Sequence, residues 1–301
     1  MEACFAPALT ETAMNAHRFT AACVQMRSGR DPLRNRDDAV ALVRQAADRG
    51  AHFVQTPEMT SLIERERAAL FEKVGPQEKD PTLTGLREVA RERGVVVHVG
   101  SIAVRVGEKV ANRAFLIDAA GEIVTSYDKV HLFDVDLPSG ESWRESATYT
   151  GGDRAVLGET PWGLLGLTIC YDVRFPALYR ALAENGAAFL SAPACFTRQT
   201  GEAHWHVLHR ARAIETGSFM ISAAQGGRHE DGRETYGHSL IVDPWGRVLA
   251  EAGAEPGVIL AEIDTALVAD ARARIPTLKH GRPFRVEVAR AAPAPLRAAG
   301  A

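Results

Sequence analysis

The second half of this chain repeats the order of the first, and that constrains its fold more than any other feature. Residues 19–25 (FTAACVQ) read as a buried strand, followed by a helix that Asp31-Pro32 starts and Gly50 ends. Leu33, Val40, Val43 and Ala47 fall on one face of that helix. A strand at 52–55, a helix from about 82 to 93 stopped by Gly94, a strand at 95–104 and a hairpin around Ala119-Ala120-Gly121 complete the unit. The same succession returns at 164–170, at 176–185 before Gly186, at 189–193 and at 202–216 before Gly217. The hairpins match best, AFLIDAAGEIV from Ala114 against SLIVDPWGRVL from Ser239. Two such units predict two similar sheets, each with helices on one face. Their bare faces can bury each other, so the predicted class is α/β, a four-layer α-β-β-α sandwich built from two similar halves. A last strand at 258–263 and a helix at 264–274 follow.

A chain of 301 residues, 46% hydrophobic and 24% charged, is long enough to bury a substantial core. Its net charge of −3 gives no reason to expect nucleic acid or an anionic membrane as a partner. No apolar run approaches membrane-spanning length. Residues 1–17 lack the basic start and long apolar core of a secretory signal and read as a loose extension, with Met14 an alternative start. Residues 18–285 are expected to form the functional domain. The Ala/Pro/Arg-rich tail, 286–301, is expected to be partly mobile or to pack on a neighbouring subunit. Cys4, Cys23, Cys170 and Cys195 show neither a CxxC pair nor disulfide-scaffold spacing, which suits a reducing cytoplasm.

Cys170 lies where the apolar run 164–170 gives way to the helix signals Asp172 and Pro176. Ligands of open α/β sheets bind at such strand ends, and a helix N-terminus there is expected to favour thiolate over thiol. Alone, a cysteine in an apolar run reads more readily as buried filler than as a nucleophile. Two further groups sit at strand ends: Glu58 after Pro57, and Lys129 in YDKVHL. Each alone is an ordinary surface charge. Lys129 stands out because only five of the 35 basic residues are Lys. The loop after Lys129 is rich in Gly, Ser and acidic residues, and long irregular loops are often functional.

Taken together, PE at 57–58, KVHLFDVD from Lys129, Glu145 within WRES and CYDVRFP from Cys170 resemble the signature segments of the nitrilase superfamily, the carbon-nitrogen hydrolases. The resemblance runs from about Phe19 to Phe284. It implies a Glu58-Lys129-Cys170 triad, with Glu145 an additional active-site carboxylate. It also implies the same sandwich and a homodimer or homotetramer. In that chemistry Glu58 takes the thiol proton, so it is expected to have a raised pKa in a secluded pocket. Lys129 and the backbone N–H of Tyr171 are expected to hold the oxyanion of the tetrahedral intermediate.

The stretches FTRQTGEAHW from Phe196, AAQGGRH from Ala223 and YGHS from Tyr236 look most like the Nit branch. That branch implies a small amide bearing a carboxylate. The expected reaction is hydrolysis of the primary amide of deaminated glutathione or a related keto-amide, releasing ammonia through a thioester. Alpha-ketoglutaramate and N-carbamoyl amines are the alternatives. Arg174, four residues past the nucleophile, is placed to receive the carboxylate bidentately, although it also reads as a helix-surface residue. Phe196 and Thr200 are expected to line the pocket. His204, His206 and His209 share a helix without an i, i+4 pair, and cysteine hydrolysis needs no metal, so neither metal nor cofactor is expected.

Overall fold

The computed structural model describes residues 17–138 and 140–290; residues 1–16, Ser139 and 291–301, and with them Met14 and most of both terminal segments, lie outside the described residues. The first half forms strands β1 (Arg18–Gln25), β2 (Phe53–Gln55), β3 (Val96–Val106), β4 (Lys109–Ile117) and β5 (Ile123–Asp128). Helices α1 (Pro32–Asp48), α2 (Arg67–Lys73) and α3 (Pro81–Arg93) lie between them. The second half has β6 (Val156–Thr160), β7 (Gly163–Leu167), β8 (Ala187–Ser191), β9 (Phe219–Ser222), β10 (Leu240–Val242) and β11 (Val248–Glu251), with α4 (Pro176–Glu184) and α5 (Arg198–Thr216). β12 (Gly257–Asp264) and α6 (Ala266–Arg274) follow.

The duplication is visible in the pairing. Strands β1, β2 and β3 run parallel, and β4 and β5 continue the sheet antiparallel. Strands β7, β8 and β9 run parallel, and β10 and β11 continue in the same way. Each sheet gains one strand beyond its first, antiparallel to it. For the second sheet this is its neighbour β6, but for the first it is β12 from the far end of the chain. The C-terminal strand therefore staples the two halves together.

The strand β1 shows why the layers form. Ala21 and Cys23 join the core between the sheets, whereas Ala22 and Val24 pack with the α1 and α3 residues Val43, Leu86 and Val89. This is the two-residue alternation of a strand buried on both faces. Between the sheets Phe19 stacks on Trp162 at 4.3 Å and meets Phe189 at 5.5 Å, while Phe53 meets Phe189 at 5.9 Å.

The helix boundaries follow their caps. Asp31 accepts from the Leu33 N–H at 2.9 Å ahead of α1, and Asp80 accepts from the Leu83 N–H at 2.8 Å ahead of α3. Gly94 and Gly217 end α3 and α5 in the left-handed conformation, with φ of 64° and 59°. Helix α5 starts four residues earlier than its apolar pattern predicts, because the Thr197 hydroxyl caps it. Helix α2 and strand β6 carry patterns too weak to predict them. The loop after Lys129 folds a short ribbon, pairing Asp134–Asp136 with Ser142–Arg144.

Candidate active site

Two parallel-strand rules bring the chemistry to one edge. β5 is antiparallel to β4, which is antiparallel to β3, so β5 runs in the direction of β2. Glu58, just after β2, and Lys129, just after β5, therefore leave the first sheet on the same side. Cys170 and Cys195 follow β7 and β8, which are parallel to each other in the second sheet. The four converge on one pocket of about 260 Å³, a size for a small metabolite.

Lys129 Nζ donates to Glu58 Oε1 at 2.9 Å and to Glu145 Oε2 at 2.9 Å. Asn112 Nδ2 donates to Oε1 of the same two carboxyl groups, at 2.9 and 3.2 Å. The second oxygen of Glu58 accepts the Cys195 N–H at 2.8 Å. Glu145 also accepts the Phe133 N–H at 2.6 Å, which ties the loop after Lys129 over the site. Cys170, Glu58 and Lys129 are only 6%, 3% and 2% exposed, so these charges interact in a nearly dry setting.

Electrostatics corrects two expectations. Burial drives the Glu58 carboxyl up, but Lys129 and the hydrogen bonds from Cys170, Lys129 and Asn112 outweigh it and hold the group below the usual carboxylate range. Glu58 is thus ionised rather than raised. Burial and then the Glu58 charge push the Cys170 thiol well above its ordinary value, with Lys129 opposing. The resting sulfur is a thiol, not the expected thiolate. Burial disfavours the Lys129 ammonium, but Glu145, Glu58 and Cys170 overcome this and keep it charged.

The backbone at Cys170 differs from the expected strand-to-helix junction. Strand β7 ends at Leu167, Cys170 opens a 3-10 turn over Cys170–Arg174, and α4 starts only at Pro176. Cys170 has φ +49°, a strained left-handed value for a residue with a side chain. Asp172, fully buried, locks the turn. Its Oδ2 accepts from Tyr127 Oη at 2.7 Å and the Ile169 N–H at 2.9 Å, and its Oδ1 from the His131 N–H at 3.0 Å and His131 Nδ1 at 2.7 Å. One carboxylate therefore joins the Cys170 turn to the segment bearing Lys129.

Every site residue expected from the sequence lines the pocket: Glu58, Lys129, Glu145, Cys170, Tyr171, Arg174, Phe196 and Thr200. The Tyr171 N–H has no protein acceptor among the described residues. The Arg174 guanidinium lies 5.2 Å from the Phe196 ring, faces His204 Nδ1 at 3.2 Å and has no carboxylate partner among the described residues. Sequence reasoning missed Asn112, Asp172, Trp143 and Arg233. Asp172 had a signal: an acidic residue two positions past Cys170, at the end of an apolar run.

Helix spacing argued against a metal, but the fold gathers His206 with two residues from other elements. His206, His238 and Glu251 place ligand atoms within 4.8 Å of one another. Both imidazoles lie 2.9 Å from Glu251 Oε1, and none of the three lines the pocket.

The chain matches the carbon-nitrogen hydrolase family over residues 20–273. A deaminated glutathione amidase of Synechocystis sp. is 40% identical over 267 residues, covering 87% of this chain and 97% of that protein. The crystal structure of the C. elegans NitFhit protein superposes with a TM-score of 0.81 at 34% identity, over 88% of this chain and 65% of that one. A mutant of the amidase from Nesterenkonia sp. AN1, with acrylamide added at its active-site cysteine, is 28% identical with a TM-score of 0.72, over 85% of this chain and 98% of that one. Among the described residues no helix is long and apolar enough to cross a membrane.

Proposed function

The chain belongs to the carbon-nitrogen hydrolase family and is an amidase acting on non-peptide carbon–nitrogen bonds, and we propose that it hydrolyses deaminated glutathione or a related keto-amide through a Cys170 thioester. The observation that carries this reading is the commitment of both Glu58 oxygens, one to Lys129 and Asn112 and the other to the Cys195 N–H, beside the Cys170 thiol. This fixes a base against a nucleophile in a pocket with a cation and a free N–H.

The steps follow from these positions. Cys170 Sγ attacks the amide carbon as its proton passes to Glu58. Because the thiol is raised and Glu58 lowered, this transfer is uphill at rest and accompanies bond formation. The Tyr171 N–H and Lys129 Nζ receive the oxyanion, and losing one such donor typically costs about 3–4 kcal/mol of barrier. The C–N bond breaks, Glu58 returns its proton to the departing nitrogen, and the acyl group remains on sulfur. Water then gives a proton to Glu58 and adds its oxygen to the thioester. The C–S bond breaks, and the sulfur recovers the proton. Glu145 holds Lys129 and the covering loop in place. Arg174 receives a substrate carboxylate, with Phe196 and Thr200 lining the pocket.

One chemical detail of the sequence-based expectation changes. Deaminated glutathione is the tripeptide with its α-amino group replaced by a keto oxygen, so it has no primary amide. Its scissile bond is the secondary amide to cysteine, and the leaving group is cysteinylglycine. Ammonia is the leaving group only for primary amides such as alpha-ketoglutaramate. Action in the cytoplasm as a homodimer or homotetramer belongs to the same proposal, supported by the family resemblance and the free Cys23, Cys170 and Cys195.

The test compares kcat/KM for deaminated glutathione, alpha-ketoglutaramate and an N-carbamoyl amine, with mass spectrometry of the protein during turnover. An acyl adduct on Cys170, lost in Cys170→Ala, and highest kcat/KM for deaminated glutathione are expected. Full turnover by Cys170→Ala would overturn the mechanism, and preference for the N-carbamoyl amine would overturn the substrate assignment.

A further inference from the structure

We propose that Arg233 is a second anion receptor of this pocket, and that Arg233 and Arg174 together select a substrate with a carboxylate on each side of the scissile amide. The proposal rests on the amidase reading and narrows its substrate class.

Arg233 precedes the short strand Glu234–Tyr236 and reaches the pocket wall beside Cys195 and Trp143. Its guanidinium carbon lies 4.6 Å from the Trp143 ring centre, and that of Arg65 lies 4.7 Å from the same ring. Its donors are poorly used. Nη1 contacts Cys195 Sγ at 3.6 Å, a weak acceptor, and Nη2 lies 3.7 Å from Asp231 Oδ2, beyond hydrogen-bond reach. Among the described residues buried Nε has no hydrogen-bond partner, nor has Asp231 Oδ2 or Trp143 Nε1. An arginine cannot shed its proton, so a buried guanidinium with idle donors calls for an anion that can take them. A carboxylate fits the fork bidentately. Asp231 offsets the charge of Arg233 without taking its donors, and Arg174 is a further pocket cation, one with no carboxylate partner among the described residues.

Depth assigns the two receptors. The Arg233 side chain is only 16% exposed, whereas Arg174 meets His204 at the exposed rim. The leaving group must depart before water attacks the thioester, while the acyl part stays bonded to Cys170. The deep receptor, Arg233, therefore holds the carboxylate of the acyl part, and the rim receptor, Arg174, that of the leaving group. Deaminated glutathione has both carboxylates, on its 2-oxo acid and on its glycine. Alpha-ketoglutaramate has only the first.

The experiment measures kcat and KM for these two substrates in the wild type, Arg233→Gln, Arg233→Lys and Arg174→Gln, with thermal melting of each. Arg233→Gln is expected to lower kcat/KM about a hundredfold for both substrates, mainly through KM. Arg174→Gln is expected to penalise deaminated glutathione at least about tenfold more than alpha-ketoglutaramate. Arg233→Lys keeps the charge but loses the fork, and its KM is expected to rise about tenfold. If Arg233→Gln does not fold, this second variant decides, and an unchanged KM overturns the proposal. A folded Arg233→Gln within about threefold of wild type on both substrates overturns it, as does a penalty confined to deaminated glutathione. If the wild type hydrolyses neither substrate, the substrate reading fails separately. Calorimetry of 2-oxoglutarate binding to Cys170→Ala then still tests Arg233: lost affinity on adding Arg233→Gln supports the receptor, and equal affinity overturns it.

Discussion

Replacing Glu58 with Gln should slow turnover severely and yet make Cys170 easier to ionise. The side chain keeps its shape. Its carbonyl oxygen can still accept from Lys129 and Asn112, which leaves the new amide nitrogen facing the Cys195 N–H, a donor against a donor. That mismatch costs about 1–3 kcal/mol. Removing the general base lowers kcat by about 10²–10⁴. The sulfur responds in the opposite sense. After burial, the Glu58 charge is the largest influence raising the thiol, while Lys129 pulls it down and stays charged beside Glu145. A like charge within reach disfavours ionisation, so its loss lowers the thiol. The assay is the rate of alkylation by iodoacetamide against pH, for wild type and Glu58→Gln, with Cys170 modification read by mass spectrometry. The midpoint of the variant should move to lower pH. An unchanged or higher midpoint would refute the claim that Glu58 holds the sulfur protonated.

Asp172→Asn removes a buried acceptor of the Tyr127 hydroxyl, two N–H groups and an imidazole nitrogen, and turns an NH₂ toward donors. It should destabilise by about 2–4 kcal/mol in urea unfolding and lower kcat; wild-type stability would show that the turn does not need this carboxylate. Gly100→Ala builds a Cβ onto the Thr56 and Pro57 carbonyl oxygens, which cannot move without shifting Glu58. Activity should fall more steeply than stability, and full activity would mean the Glu58 segment is not held by β3. Burial holds His98 and His209 neutral, with pKa values lowered from 6.5 to about 3. The unfolded chain binds these protons first, so stability should fall as pH drops from 6.5 toward 3 and be fully present above 6.5. Replacing His98 with Gln should flatten that fall in urea titrations at pH 7 and pH 4; an equal slope would assign the acid sensitivity elsewhere.

The duplicated pattern makes the sheets legible because each strand and helix carries its own local signal. Asp31, Asp80, Gly94 and Gly217 mark helix ends with side-chain and backbone chemistry that acts within a few residues. Strand β12 is recognisable too, but nothing local says that it crosses back to pair with β1, because its partner is more than 200 residues away, Arg18 opposite Asp264. Among the site residues, those at strand ends or inside signature segments are readable. Asn112 and Arg233 are not, since each is an ordinary polar residue until the fold sets it against Glu58 or Trp143.

The protonation states escape a sequence reading for a related reason. A helix N-terminus shifts a thiol through a nearby partial charge, and sequence shows where such a terminus should fall. Burial and a full neighbouring charge act more strongly, and they come from Glu58 and Lys129, which lie 112 and 41 positions before Cys170. Glu58 and Lys129 act oppositely on the sulfur, while Glu145 shares the ammonium with Glu58. The ammonium thus balances two carboxyl groups, and a thiolate would add a third negative charge to a nearly dry site. The neutral thiol is therefore the stable resting form. In the proposed mechanism sulfur gives up its proton only while it is bonding to the substrate carbon, when that proton has neutralised Glu58 and the negative charge has moved to an oxygen facing Lys129 and the Tyr171 N–H. The same burial that keeps the thiol inert at rest makes those two donors effective once charge develops on the substrate.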